Sequence, residues 1–353
     1  MNANLLFMRS FKIAILLSVF LACNLTYGQY TDVINSNRPG ASRSAFSVGT
    51  NVLQLEAGPY LVNEKHTPLQ YEVSGFGADF SIRYGLLLEQ LEINLEGNYQ
   101  NDTFTDSRSL IDSKSNRSNF KNLTLGVKYL VYDPYKNAEE DKPNLYSWKA
   151  NHKFKWNTLI PAVSVYAGAN YDTKKNPYLA PGVEGFSPKV ILGTQNNFAG
   201  GWVFVMNFIY DRFTTDYPEF QYILTLTKSI NEQWVVFAET QGIDNDYYAD
   251  NLFRFGGAYL WGKNFQLDTA LTFNTKDTPS VFNVNLGASY RFDFHQDKNV
   301  DNNNTAEDEA ERVLNSKKGR KKSKKKKRKN KADDSPEKDN KRQKQRQAID
   351  FDN

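Results

Sequence analysis

From about Asn51 to His295, apolar and polar residues alternate in short segments with no helical stretch between them. In Leu91–Gln100, for example, Leu91, Ile93, Leu95 and Tyr99 fall on one face, and Glu92, Asn94, Glu96, Asn98 and Gln100 on the other. A period of two marks a strand with one apolar and one wet face. The pattern predicts strands at 51–62, 71–83, 89–100, 119–132, 157–170, 187–198, 202–212, 219–228, 233–242, 251–261, 265–274 and 281–294.

A soluble all-β sandwich also alternates. Two features favour a membrane barrel. The segments are about ten residues long, near the length that crosses a bilayer at a tilt. Aromatics such as Tyr60, Phe80, Tyr129, Trp202, Tyr210, Trp234, Trp261, Phe273 and Tyr290 fall near segment ends, as an interfacial girdle requires. The low mean hydropathy, −0.63, does not favour the sandwich, because a barrel needs only one apolar face in two. Long and short links alternate through most of the chain, matching the outer loops and tight periplasmic turns of such barrels. The 133–156 link breaks that parity. The expected fold class is all-β: an antiparallel transmembrane barrel of about twelve strands, with both termini in the periplasm.

Export is expected from the first residues. Arg9 and Lys12 precede Ile13–Ala22, apolar except for Ser18, and Thr26-Tyr27-Gly28 follows. The apolar run is too short to span a bilayer, so residues 1–28 are expected to be a cleaved signal peptide. A lipidated Cys23 is the competing reading. If Gly28 is the cut, the one cysteine is lost, and the mature chain has no thiol, disulfide or cysteine metal site. Residues 29–50 are expected to be an N-terminal periplasmic segment and 51–295 the barrel.

Asn37-Arg38-Pro39-Gly40, then Ser42, Ser44 and Leu53-Gln54-Leu55-Glu56-Ala57-Gly58, resemble the opening of a bacterial outer-membrane transporter family named for the MetA pathway of phenol degradation. Arg83-Tyr84-Gly85-Leu86, leading into Leu91–Tyr99, is similar to its second landmark. The resemblance covers roughly residues 30–295. It departs at Asn37, where an acidic residue is usual, and at the basic tail. It implies a porin-like barrel of about twelve strands.

Strand parity places Glu92, Glu96, Gln100, Lys128, Glu239, Arg254 and Asp268 in the lumen, with Arg291 and Asp293. Opposite charges in a narrow lumen either pair across and plug it or select ions along a pore. A plugged or narrow lumen is favoured over an open one. Catalysis is not expected: His66, His152 and His295 pair with no Ser, Asp or Glu at a catalytic spacing, and a rim pair of His66 with Ser44 or Ser74 is remote. No metal or cofactor signature is present.

Residues 296–353 differ in kind, with 19 Lys/Arg and 12 Asp/Glu. Twelve basic residues crowd into 317–331: Lys317, Lys318, Arg320, Lys321, Lys322, Lys324, Lys325, Lys326, Lys327, Arg328, Lys329 and Lys331. Few apolar residues interrupt this segment, so it is expected to be a disordered periplasmic tail. Export argues against nucleic acid as its partner. Peptidoglycan or an anionic envelope component is the expected one, and outer-membrane lipid is the barrel's. Two function classes remain: a porin-like transporter of small solutes, or a non-conducting scaffolding subunit docked through the tail.

Overall fold

The structure is a computed structural model that describes residues 33–135 and 159–295. Residues 1–32, 136–158 and 296–353, and with them the signal, most of the 133–156 link, His152 and the tail, lie outside the described residues.

Twelve strands, each antiparallel to the next, close on themselves. They are β1 (Val52–His66), β2 (Tyr71–Gly85), β3 (Leu91–Asp106), β4 (Ser113–Tyr132), β5 (Ala162–Asp172), β6 (Gly185–Phe198), β7 (Trp202–Asp211), β8 (Glu219–Ser229), β9 (Trp234–Asp244), β10 (Ala249–Trp261), β11 (Phe265–Asn274) and β12 (Ser280–Asp293). Closure is the β1–β12 ladder, running from Val52 opposite Asp293 to Lys65 opposite Ser280. It leaves no strand edge, as hydrocarbon demands of a spanning sheet.

The exterior is apolar and exposed: Leu55, Leu61, Phe76, Ile82, Leu125, Phe186, Leu192, Leu226, Leu271 and Leu286 all face outward. So much contiguous apolar surface suits lipid rather than water. Aromatics ring both ends. Trp202, Trp234, Trp261, Tyr290 and Phe292 stand at the end holding the 199–201 and 262–264 turns, and Tyr171, Phe186, Tyr210 and Phe213 stand at the other. Two expected girdle residues are elsewhere. Tyr60 points inward and is buried, and Phe80 lies mid-strand, its ring covering Gly97.

Several strands outrun their predicted ends. β1 continues to His66, β2 to Gly85 and β3 to Asp106, while β4 begins at Ser113 rather than 119. The links expected to be long are therefore partly extended hairpin. β5 starts at Ala162, later than predicted, after Pro161.

Residues 33–50 are not a free periplasmic segment. They run inside the barrel as a loop, which corrects the expectation. The loop enters beside the β10–β11 turn, where the Ile34 N–H donates to the Lys263 carbonyl at 2.8 Å. It folds back beside the β2–β3 end, where the Asn51 N–H donates to the Gly85 carbonyl at 3.0 Å.

Candidate functional site

The candidate site is the lumen and the plug within it. Asn35 and Ser44 pin the two legs of the loop together, the Asn35 amide donating to Ser44 Oγ at 2.8 Å. Between them Arg38-Pro39-Gly40-Ala41-Ser42-Arg43 forms the apex.

Arg38 lies flat on the wall. Its guanidinium pairs with Asp79 of β2 and with Asp268 of β11 at 3.3 Å, and donates to the Leu286 carbonyl of β12 at 3.1 Å. Glycine leaves room for it to lie there. A Cβ on Gly287 would stand 2.1 Å from Arg38 Nη2, and one on Gly58 would stand 2.3 Å from the same nitrogen.

Two strands on from β11, on β9, Glu239 receives the Ala41 N–H at 3.0 Å and the Ser42 N–H at 3.2 Å. Its carboxylate also accepts from the Thr225 hydroxyl at 2.7 Å and from Arg254 at 2.8 Å. Arg43 pairs with Glu96 of β3 and stacks 4.5 Å over the Tyr166 ring of β5. Its backbone exchanges two hydrogen bonds with the Asn207 amide of β7, at 2.6 and 3.0 Å. Gln195 of β6 accepts from the Ser44 hydroxyl at 2.9 Å and the Ala45 N–H at 3.2 Å. The apex thus touches wall residues from nearly the whole circumference.

The base of the plug is clamped by a buried ionic cluster. Arg83 pairs with Glu92 at 2.8 Å and Glu56 at 3.2 Å, and donates to the Asn35 carbonyl at 2.7 Å. Lys128 pairs with Glu92 at 3.2 Å and donates to the Ser44 and Phe46 carbonyls at 3.2 and 2.8 Å. The Glu92 oxygen that meets Lys128, Oε2, also accepts the Val48 N–H at 3.0 Å. Phe46 and Ala45 pack on Leu130 and Ala162, so the base also has an apolar anchor.

Of the seven lumen residues expected from parity, Glu92, Glu96, Lys128, Glu239 and Asp268 touch the plug directly, and Arg254 acts through Glu239. Gln100 belongs to a second layer. There its amide donates to Asp102 at 2.5 Å, and its side-chain oxygen accepts from Tyr60 at 3.2 Å. Arg291 donates to Asp293 at 3.0 Å near the turn end. Wall charges pair along the wall, within a strand or between nearby strands, or with the plug, rather than across an empty bore.

Sequence reasoning missed Arg38, Arg43, Asn207, Gln195 and Arg83 as site residues. The advance signals were the run Asn37–Ser44 and Arg83-Tyr84-Gly85-Leu86, both of them family landmarks with no role in the lumen assigned to them. No Ser–His pair forms among the described residues: Ser44 is bonded to Gln195 in the plug, Ser74 faces outward on β2, and His66 stacks on Tyr71, with ring centroids 4.9 Å apart.

A closed barrel with an apolar exterior and a charged, hydrogen-bonded interior is a transmembrane β-barrel, and this one holds a segment of its own chain as a plug. The chain belongs to the family described as "Putative MetA-pathway of phenol degradation", which matches residues 36–292 and so includes the apex. No curated relative matches. Among solved structures, the COG4313 outer membrane channel from Pseudomonas putida F1 is 11% identical, with a TM-score of 0.44, covering 73% of this chain and 100% of that one. The translocator domain of the autotransporter NalP from Neisseria meningitidis is 10% identical, with a TM-score of 0.41, covering 72% and 90%. The Pseudomonas putida toluene transporter TodX is 10% identical, with a TM-score of 0.40, covering 75% and 98%. Likenesses this distant carry no weight about solute.

Proposed function

We propose that this chain is a porin-like transporter of small solutes in the outer membrane, closed in this conformation by residues 33–50. The observation that carries the reading is that the wall does not fill its own bore. Barrels of about eight strands are filled by their own side chains, and larger ones enclose free space. Here a loop of peptide occupies that space, and it is held at the apex by hydrogen bonds and ion pairs that water can replace. Withdrawal would leave a passage lined by Glu96, Asn207, Glu239 and Asp268.

The test is planar-bilayer conductance of the full chain and of a variant lacking residues 33–48. The full chain should be closed with brief openings, and the deletion steadily open. Stable insertion with silence from both would favour the scaffolding alternative.

In the same reading, residues 1–28 direct export and both barrel termini face the periplasm. Residues 317–331, with their twelve basic side chains, bind peptidoglycan or another anionic envelope component through many weak, salt-sensitive contacts. Co-sedimentation of the full chain with cell-wall sacculi should fall with salt and with Lys→Gln changes across 317–331. Binding indifferent to both would remove the tether.

A further inference from the structure

Above the plug, at the end opposite the 199–201 and 262–264 turns, the barrel opens into a vestibule of about 550 Å³. Its lining is aromatic: His66, Tyr71, Phe104, Tyr247 and Tyr248 share it with Glu64, Arg108 and Arg117. Tyr71 stands between His66 and Phe104, with ring centroids 4.9 and 5.0 Å away. None of these groups is used by the plug.

The charges of the lining are unequal in one respect. Arg117 is held by Asp102 at 2.8 Å. Arg108 forks onto Asp106, its Nε 2.9 and 3.1 Å from the two oxygens. Nearby, Lys276 pairs with Asp250 at 3.5 Å. Glu64 is half-buried on the inward face of β1, and among the described residues it is the one charged group of the lining without an ion-pair partner. Both cations of the neighbourhood that meet a ring already sit on its face, Arg117 4.9 Å over Phe104 and Lys276 5.0 Å over Tyr248. A ring face attracts cations through its quadrupole, and an adjacent carboxylate adds to that attraction.

We propose that this vestibule binds small aromatic cations: a single flat ring packed on the exposed Tyr247 and against the ring edges of Tyr71 and Phe104, with an ammonium group directed to Glu64. A carboxylate of the same size meets Glu64 as a like charge and finds both arginines already occupied. The proposal deepens the transporter reading, since the site stands at the mouth of the pore, yet its binding test does not depend on conduction.

The experiment is binding of benzylammonium to the purified full-length protein, by calorimetry or saturation-transfer NMR, with benzoate and cyclohexylmethylammonium as comparison probes. Benzylammonium should bind saturably and more tightly than either. Glu64→Gln and Tyr71→Leu should each weaken it roughly tenfold, about one decade per 1.4 kcal/mol. Glu72→Gln, on the exposed Lys65–Glu72 pair, should not change it. Heat-modifiable mobility of every variant confirms that the barrel is assembled, and Glu64→Asp should keep most of the affinity. Benzoate binding as well as benzylammonium, indifference to Glu64→Gln in an assembled barrel, or no saturable binding of any probe would each overturn the site. Binding without conductance from the plug-deleted barrel would keep the site and sink the transporter reading. Conductance without binding would do the reverse.

Discussion

Gly287→Ala tests the plug from the wall side, without altering the plug's own sequence. The three atoms nearest to the added Cβ all belong to Arg38: Nη2 at 2.1 Å, Nε at 2.3 Å and Cζ at 2.4 Å. An ordinary contact needs about 3.5 Å, so the guanidinium must lift from the wall by more than an ångström. That loosens its hydrogen bond to the Leu286 carbonyl and its pairing with Asp268. Hydrogen bonds to charged groups contribute roughly 1.5–3 kcal/mol each. Partial loss of two of them shifts the plugged state by about 2 kcal/mol, or roughly thirtyfold in population. The readout is labelling of a Ser42→Cys reporter, buried at the apex, by a membrane-impermeant maleimide in a Cys23→Ser background. When opening and closing are fast relative to labelling, the rate follows the open population. Labelling should rise about thirtyfold with Gly287→Ala, and further with Gly287→Val. Adding Gly287→Ala to Arg38→Ala should change little more than Arg38→Ala alone, because the clash has lost its partner. Gly58→Ala is the contrast: its Cβ would stand 2.1 Å from the Leu286 carbonyl oxygen, so it should impair the β1–β12 wall and assembly. Unchanged labelling in Gly287→Ala, or additive effects of the two substitutions, would refute the reasoning.

Leu95, outward on β3 between Ile82 and Leu125, should cost roughly 2–4 kcal/mol as Leu95→Arg if it lies near mid-membrane, whereas Glu96→Gln should leave assembly intact and loosen only Arg43. Equal effects of the two on heat-resistant mobility would show the faces to be wrongly assigned. Truncation after His295 should leave an assembled barrel, because the β1–β12 ladder is complete by Asp293, and truncation at Ser280 should not. Failure of the longer truncation to assemble would place closure elsewhere.

Alternation exposed the strands where lipid lies on one side and the lumen on the other. In Gln54-Leu55-Glu56-Ala57 the faces differ because their surroundings differ. Past Leu61 the chain continues Val62-Asn63-Glu64-Lys65-His66, still laddered to β2 up to Tyr71. No hydrocarbon meets the outward face there, so the period-two signal fades while the backbone pairing persists. Thr103-Phe104-Thr105-Asp106 is lost for the same reason. Hydrogen bonding extends a hairpin beyond the membrane, and side-chain polarity does not report it. At β5 the error ran the other way: Leu159 and Ile160 look like strand, yet pairing begins only at Ala162.

The plug was illegible for a different reason, and that reason bears on how it works. A segment packed in a polar lumen needs hydrogen-bonding side chains and no apolar period, so Asn35–Ser44 looks like any solvated loop. Its partners Glu96, Asn207 and Glu239 are far away in sequence, and only the closed barrel brings them to it. The base differs: Ala45, Phe46 and Val48 are buried and apolar, Phe46 packs on Leu130 and Ala162, and the Arg83–Glu92–Lys128 pairs that clamp it are fully buried, where screening reaches little. The two halves should therefore respond differently to salt. Screening weakens the Arg38 and Arg43 pairs, whose partners Asp79 and Glu96 remain about a quarter exposed. Apolar burial at Phe46 is not weakened by screening, and excluded salts strengthen it. Raising sodium chloride from about 0.1 to 1 M shortens the Debye length from roughly 10 to 3 Å. It should speed labelling of the Ser42→Cys reporter and leave that of an Ala45→Cys reporter nearly unchanged. Such a result makes the apex a gate hinged on a fixed base. Parallel acceleration at both sites would mean that residues 33–50 leave as one unit, and the ionic apex would then hold no separate control over the pore.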